Sequence, residues 1–153
     1  MLPKLKSLVA GAFSFLLVFG CDERRLEQTF FNQPFAGWLQ RMRQYSLEDQ
    51  YKIFRYGNDS IEAPLVDLAD PIAERGAAAV PFLVGQLKSR TDDLTVRDIL
   101  LIFQTMARLK SYDVKGDAAL MNLLASKVAG VKHKEWRSVC FEMLQRIKHP
   151  NLE

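Results

Sequence analysis

The sequence predicts an all-α fold in which amphipathic helices pair along the chain. The first observation is an apolar stripe in residues 96–107, which follows one face of a helix at about 100° per residue. It comprises Val96, Ile99, Leu100, Phe103, Met106 and Ala107. The opposite arc holds Arg97, Asp98, Gln104, Thr105 and Arg108. The second observation is a similar pattern about 40 residues later in the chain.

The helix over residues 96–107 is expected to be the most buried of the molecule. Leu101 and Ile102 are apolar but lie outside the main stripe, which favours contacts with neighbours on more than one side. The start of this helix is indicated by short oxygen-bearing side chains that accept hydrogen bonds from first-turn amides. These are Asp92, Asp93 and Thr95.

Residues 79–90 predict the preceding helix of the same hairpin. Pro81 stands in its first turn, where a helix has no amide partner to lose. Its apolar face carries Val80, Leu83, Val84 and Leu87. Two further helices are predicted, over residues 118–129 and over residues 135–148.

Together these residues resemble a HEAT repeat, the antiparallel helix pair that stacks into curved solenoids. The matching features are Gly76, the run from Ala79 to Pro81, Leu83, Leu87, the acidic break at 92–93, and the Val96–Arg97 pair. The resemblance covers roughly residues 62–148 and implies a short right-handed α-solenoid of helical hairpins. It carries no information about the binding partner.

A shift of the chain by 40 residues supports the repeat. The shift pairs Val96–Arg97 with Trp136–Arg137, Leu100 with Cys140, Leu101 with Phe141, and Phe103 with Met143. A period of about 40 is typical of HEAT and armadillo repeats, whereas tetratricopeptide and ankyrin repeats are shorter. The alternative is an irregular helical bundle, since two amphipathic helices can coincide by chance.

Residues 1–20 are expected to be a targeting segment. A basic start precedes an apolar run from Leu8 to Phe19 that is too short to span a membrane. Val18 to Cys21 then resembles the lipobox of bacterial lipoproteins, in which a small residue precedes a cysteine that is lipidated. The resemblance implies that Cys21 carries a lipid anchor and becomes the mature N-terminus.

An ordinary secretory signal, with Cys21 incidental, is the alternative for this segment. With the anchor, the protein is expected on the extracytoplasmic side of a cell membrane. Asp22 resembles the residue that marks retention at the inner membrane in enteric bacteria. Residues 21–29 predict a polar tether, and residues 30–153 predict a single helical domain large enough to bury a core.

The basic excess of the chain lies mostly in the targeting segment. Without Lys4 and Lys6, 19 of the 21 basic residues remain. Together with the 18 acidic residues they give a formal charge of about +1. This balance gives no electrostatic case for nucleic acid binding. Cys140 is expected to be a buried structural thiol, because it lies in an apolar stripe and has no partner once Cys21 is lipidated.

Residues 30–57 are predicted to cap the helical repeats. They hold eight of the sixteen aromatic residues: Phe30, Phe31, Phe35, Trp38, Tyr45, Tyr51, Phe54 and Tyr56. In one interpretation these side chains form the core of a capping element, as end repeats require. In the other, some remain exposed beside Arg41, Arg43 and Arg55 as a patch for a partner or the membrane interface. A helix in this stretch is expected to close at Gly57.

Residues 62–75 predict a helix that Pro71 kinks or shortens. Its Asp67, Asp70 and Glu74 share one face by spacing. We expect a solvated acidic face, because ligands for hard cations normally converge from loops.

The sequence contains no motif for catalysis, phosphate binding or dinucleotide binding. His133 and His149 fall at loop or helix-end positions, without a second ligand at zinc spacing. We therefore expect neither an enzyme nor a bound metal or cofactor.

A protein-binding surface is the remaining expectation. In HEAT-like stacks the second helix of each pair lines the concave side, and Phe82 points away from the apolar stripe of its own helix. The predicted partner-contacting residues are Phe82, Gln86, Ser89, Lys88, Arg90, Asn122 and Ser126. The alternative for Phe82 is packing beneath the N-terminal aromatic cap.

The functional prediction is a lipid-anchored, HEAT-like adaptor of the bacterial envelope that works by protein binding. An inhibitor or immunity-type lipoprotein that blocks a toxin or an envelope hydrolase is the first alternative. A hydrolase of cell-wall or lipid material is the second, and it requires convergent carboxylates in a cleft.

Overall fold

The computed structural model describes residues 23–90 and 92–149, and the side chains within them from residue 26 onward. These residues are helical with connecting turns, which confirms the predicted all-α class. The helices are α1 (Glu23–Phe31), α2 (Trp38–Met42), α3 (Leu47–Asp59), α4 (Asp70–Ala73), α5 (Val80–Ser89), α6 (Asp93–Leu109), α7 (Ala118–Ala129) and α8 (Lys134–Lys148). Short 3-10 turns at Val66–Ala69 and Gly76–Ala78 flank α4. The targeting segment and Cys21 lie outside the described residues.

Helix α6 is the centre of the core, as its sequence pattern predicts. Ten of its seventeen residues are buried, and it packs against α4, α5, α7 and α8. The carboxylate of Asp92 accepts a hydrogen bond from the amide of Thr95 at 2.8 Å. This contact satisfies one of the unpaired amides of the first turn, so the predicted helix start is confirmed.

Much of the polar arc of α6 is buried as well, whereas Gln104 is partly buried and Arg108 is exposed. Arg97, Asp98 and Thr105 are each at most 8% exposed. An isolated amphipathic helix would leave such an arc in water. Here α4 and α8 add to the contacts that α5 makes, so little of the circumference of α6 reaches solvent.

Helices α5, α7 and α8 begin and end within one residue or so of their predicted bounds. Helix α7 occupies the predicted residues 118–129, capped by the Asp117 carboxylate, which accepts from the amide of Leu120 at 2.9 Å. These helices combine strong apolar periodicity with clear end signals. Their positions were therefore readable from the chain alone.

The N-terminal helix differs from the expectation of a tether over residues 21–29. Residues 23–29 belong to α1, which packs on α3. Leu26 and Phe30 are four residues apart, so they lie on one side of α1, and Phe30 is fully buried. This pair docks the helix on the domain instead of leaving it as a free linker.

The aromatic residues of the cap divide between core and surface. Phe30, Tyr51 and Phe54 are buried. Phe31, Trp38 and Tyr45 are partly buried and pack against the same core. Phe35 and Tyr56 are exposed, by 73% and 41%. The capping interpretation is therefore confirmed for most of these residues, and the interpretation as a binding patch stays a prediction for the exposed Phe35 and Tyr56.

Helix α3 continues past the expected stop at Gly57 and ends at Asp59. Gly57 lies within the helix and is buried. A Cβ atom at this position would lie 2.8 Å from Leu68 Cδ1, closer than real Cβ contacts. The glycine thus serves the close packing of α3 against the turn at Val66–Ala69, and it does not terminate the helix.

The predicted helix over residues 62–75 is much shorter in the structure. The 3-10 turn Val66–Ala69 leads directly into the single turn of α4, with Pro71 in its first turn. Proline is tolerated there because first-turn amides have no intrahelical acceptor. Two acidic residues of this segment bind arginines: Asp70 pairs with Arg108 at 2.7 Å and Glu74 with Arg43 at 2.6 Å.

Candidate functional site

An open groove lies between α7 and α8 at the C-terminal end of the domain. Its volume is about 500 Å³, within the range of ligand-binding clefts. The apolar residues that line it are Ala125, Val128 and Ala129 of α7 with Phe141 and Leu144 of α8. Leu144 and Val128 are buried, whereas Phe141 remains 53% exposed. A large aromatic side chain therefore stands partly in solvent on a concave apolar surface.

The polar residues of the groove are almost all cationic. Lys134, Arg137, Ser138 and Lys148 complete its lining, which includes no acidic residue among those that the structure describes. The stretch 118–149 as a whole has six basic and two acidic residues, whereas residues 22–117 have thirteen basic and fifteen acidic ones. Positive charge is thus concentrated at one end of the domain.

The start of α8 is tied to the start of α6. The carboxylate of Asp93 accepts hydrogen bonds from the amides of Lys132 at 3.1 Å and His133 at 2.8 Å. Arg137 donates from Nε to the carbonyl of Val131 at 2.7 Å. These bonds fix the turn between α7 and α8, and so they hold the two walls of the groove at a constant spacing.

A buried polar cluster lies beneath this end of the domain, between α3 and α6. Asp98 Oδ1 accepts from Asn58 Nδ2 at 2.6 Å and from Arg97 Nε at 2.9 Å. Its Oδ2 lies 3.5 Å from Arg55 Nε. Arg97 also pairs with Asp59. The two acidic and two basic side chains balance in charge, but Asp98 Oδ2 is buried and has no hydrogen-bond partner among the described residues.

Helix α8 closes the cluster through an aromatic ring. The guanidinium of Arg97 lies 4.8 Å from the ring centroid of Trp136, within cation–π range. Burial raises the pKa of Asp98 to about 6, against the opposing attraction of Arg97. A carboxyl with such a pKa is a candidate acid or base. Because Asp98 is fully buried and enclosed by its partners, the cluster serves to join helices.

Helix α6 and the two residues after it form several long-range hydrogen bonds. In each of them the two bonded residues are a nearly constant number of positions apart in the chain. They connect Asp59 with Arg97, Asp70 with Arg108, and Ala73 with Ser111, each 38 residues apart. Asn58 and Asp98 are 40 residues apart, as are Asp93 and His133. Helix α6 therefore contacts residues about 40 positions before it and about 40 positions after it.

The predicted partner-contacting residues lie on two helices of the domain. On α5, Lys88 and Ser89 are exposed and Gln86 is partly buried, and Arg90, the first residue after this helix, is exposed. On α7, Asn122 and Ser126 are exposed. Helical spacing places Asn122 and Ser126 next to Ala125 and Ala129, so they border the groove.

Phe82 occupies a different environment from the rest of that set. It is partly buried, and its ring packs edge-to-face on Tyr51 at 5.4 Å between centroids. This is the packing against the aromatic cap that the sequence left open as an alternative. Phe82 is therefore at least partly occupied by an intramolecular contact.

The groove residues Lys134, Arg137 and Phe141 were not singled out as a site by the sequence. One signal for Phe141 exists in the chain, since it lies 40 residues after the off-stripe Leu101. Leu101 is partly buried against the core. Periodicity places both residues on corresponding faces but does not say which of the two faces is covered.

Three other side chains that could take part in chemistry, Cys140, His133 and His149, lie in the described ranges 23–90 and 92–149. Cys140 is fully buried, as predicted, and burial raises its pKa to about 11, so the thiol is protonated at neutral pH. His133 and His149 are exposed. No cluster of three potential metal ligands occurs within these two ranges. Nor do they include a helix long and apolar enough to cross a membrane.

Comparisons of the chain with protein-family models, with curated proteins and with solved structures gave no match. The function is therefore inferred from the geometry and chemistry of the groove and of the helix pairs.

Proposed function

We propose that the protein is a lipid-anchored adaptor of the bacterial envelope that binds another protein through the surface of its helix pairs. In this proposal the domain is a short right-handed solenoid of HEAT-like hairpins behind an aromatic-rich N-terminal cap. Cys21 carries the anchor, and the domain acts by binding without catalysis.

The solenoid is supported by the contacts of α6. In a stack of repeats, each residue meets the equivalent residues of the repeats before and after it. Separations of 38 to 40 residues in the hydrogen bonds from α6 to both neighbours fit a repeat of that length.

The observation that carries the binding function is the open groove at the last helix pair. Arg97, Asp98 and Leu101 of α6 are buried or partly buried. The residues 40 positions later, Arg137, Ser138 and Phe141, line the groove instead. The apolar face at this groove is open among the described residues, and such faces commonly mark protein interaction sites.

The exposed polar residues predicted from the sequence extend this surface. Asn122 and Ser126 border the groove on α7, and Lys88, Ser89 and Arg90 add a polar strip at the end of α5. A binding surface with an apolar centre and a polar rim has the usual organisation of protein interfaces.

The test is a crosslinked pull-down of the full-length protein from its own membranes. We expect a stoichiometric protein partner with the native chain and its loss when the anchor is removed by Cys21→Ala. Metabolic labelling with a fatty-acid analogue checks the anchor independently. Recovery of no partner from native membranes, together with unchanged fractionation of the Cys21→Ala chain, would refute both the adaptor and its anchor.

A further inference from the structure

We infer that the α7–α8 groove receives an acidic amphipathic helix of a partner protein, an inference that rests on the proposed binding function. The partner helix places its apolar side chains against Phe141 and the floor of the groove. Its acidic side chains lie toward Lys134, Arg137 and Lys148.

The positive charge of the groove favours a partner helix with negatively charged side chains. Within residues 23–90 and 92–149, three cationic side chains and no acidic one line it. An acidic ligand is attracted to all three cationic side chains, whereas a basic ligand is repelled by them. Arg137 contributes a planar fork that can hold a carboxylate with two hydrogen bonds.

The shape of the groove selects a helix. Its walls are two packed helices, and the ridges of a third helix fit the channel between such a pair. Lys134 and Lys148 are fourteen residues apart in α8, which corresponds to about 21 Å along the axis. A partner helix of about 15 residues spans that length.

The position of the groove in the order of the helices also favours a helix as its occupant. Three residues cover the N-terminal end of α6. They are Lys132, His133 and Trp136, and each comes 40 residues after its counterpart at the start of α6: Asp92, Asp93 and Val96. The corresponding face of α8 borders the groove and is open among the residues that the structure describes. A helix of the partner protein packs on this face.

A flat anionic membrane is the competing occupant for a cationic apolar surface. The groove is concave, with Leu144 and Val128 buried at its base. A bilayer surface contacts the rim of such a channel but not its floor, whereas a helix contacts both. The geometry therefore favours the peptide.

The experiment measures binding of a synthetic peptide to the full-length protein in nanodiscs of neutral lipid. The fluorescent peptide of about 15 residues carries leucines at i, i+3, i+4 and i+7 with glutamates beside them. A second peptide has lysine in place of every glutamate. The groove variants are Phe141→Ala and Lys134→Glu. Their matched controls are Phe35→Ala and Lys115→Glu, which change an exposed aromatic and an exposed lysine outside the groove.

We expect the glutamate peptide to bind and the lysine peptide to bind at least tenfold more weakly. Phe141→Ala weakens the glutamate peptide about tenfold, and Lys134→Glu weakens it about fivefold while favouring the lysine peptide. Both controls retain native affinity. Higher salt weakens the native interaction but has less effect on the Lys134→Glu protein. Unchanged thermal unfolding shows that each variant is folded.

The inference is overturned if both groove variants bind the glutamate peptide like the native protein, or if the two peptides bind equally. It is also overturned if only phosphatidylglycerol vesicles bind, with the same sensitivity to Phe141→Ala, because the occupant is then a membrane. These outcomes are separable from failure of the proposed function. A partner that is recovered from native membranes by the Phe141→Ala and Lys134→Glu proteins leaves the adaptor intact and excludes the groove.

Discussion

Helices α6 and α8 have matching sequence patterns but different surroundings. Ten residues of α6 are buried, whereas only Cys140, Leu144 and Ile147 are buried in α8. Helix α6 has neighbours on both sides in the chain, and α8 has described neighbours only on the side of α6 and α7. The comparison shows that burial in this fold depends on the place of a helix in the order of packing as well as on its own periodicity.

The polar residues of the two helices follow the same difference. Asp98 of α6 is buried and requires Arg97, Asn58 and Arg55 around it. The residue 40 positions later is Ser138, which is exposed and lines the groove. A buried carboxylate demands compensation that an exposed hydroxyl does not. Positions 98 and 138, which are 40 residues apart in the chain, therefore lie in environments with different requirements.

The largest effect is expected from aromatic truncation in the two helices. Phe103→Ala in α6 should lower the free energy of unfolding by about 4 kcal/mol, because Phe103 is fully buried. Phe141→Ala in α8 should change it by less than about 1 kcal/mol, because that ring is 53% exposed. Urea unfolding of both variants measures the difference. Equal losses would mean that the face of α8 is covered in solution.

The buried carboxylate should be nearly as sensitive. Asp98→Ala leaves Arg97 and Arg55 with incomplete partners and should destabilise the protein by about 3 kcal/mol. Ser138→Ala, the equivalent change in α8, should fall within about 0.5 kcal/mol of the native protein. A small effect of Asp98→Ala in urea unfolding would show that the cluster tolerates unpaired arginines.

The pH dependence of stability tests the environment of Asp98 directly. Its folded pKa of about 6 lies above the unfolded value of about 3.9, so the folded state binds this proton more tightly. The contribution of Asp98 is therefore present below about pH 4 and is lost as the pH rises through about 6.

Unfolding of the native and Asp98→Asn proteins between pH 4 and pH 7 isolates that contribution. The stability of the native protein relative to the variant should fall across this range, by at most about 3 kcal/mol. The opposite slope would mean that Arg97 and Arg55 outweigh burial and depress the pKa of Asp98.

The smallest effect concerns the contact between the two helices. The cation–π pair of Arg97 and Trp136 should have a coupling free energy of about 1 kcal/mol. A double-mutant cycle with Arg97→Gln and Trp136→Leu measures it. A coupling of zero would indicate that Trp136 joins α8 to α6 by apolar packing alone.

Some elements of the fold were predictable because their signals are local. Helix α7 occupies the predicted residues 118–129, with Asp117 before it and Gly130 after it. The start of α6 at Asp92 follows from the same kind of signal. End caps and apolar periodicity act within a few residues, so they can be read without knowledge of the rest of the chain.

Other elements were not predictable because distant residues decide them. Gly57 stands inside α3 because Leu68 packs against it, and the expected helix over 62–75 gives way to a 3-10 turn and one turn of α4. The groove at Phe141 and the buried Asp98 depend on which helices reach α8 and α6. No local pattern carries that information.

The sequence by itself determined the helical class and the ends of α5, α7 and α8, because these depend on spacing and on end signals within each helix. Only the tertiary structure decided which faces are covered. Periodicity reports that a helix has an apolar side, but burial depends on whether another helix, some 40 residues away, packs on that side. At α6 helices pack from both directions, and at α8 the groove remains open.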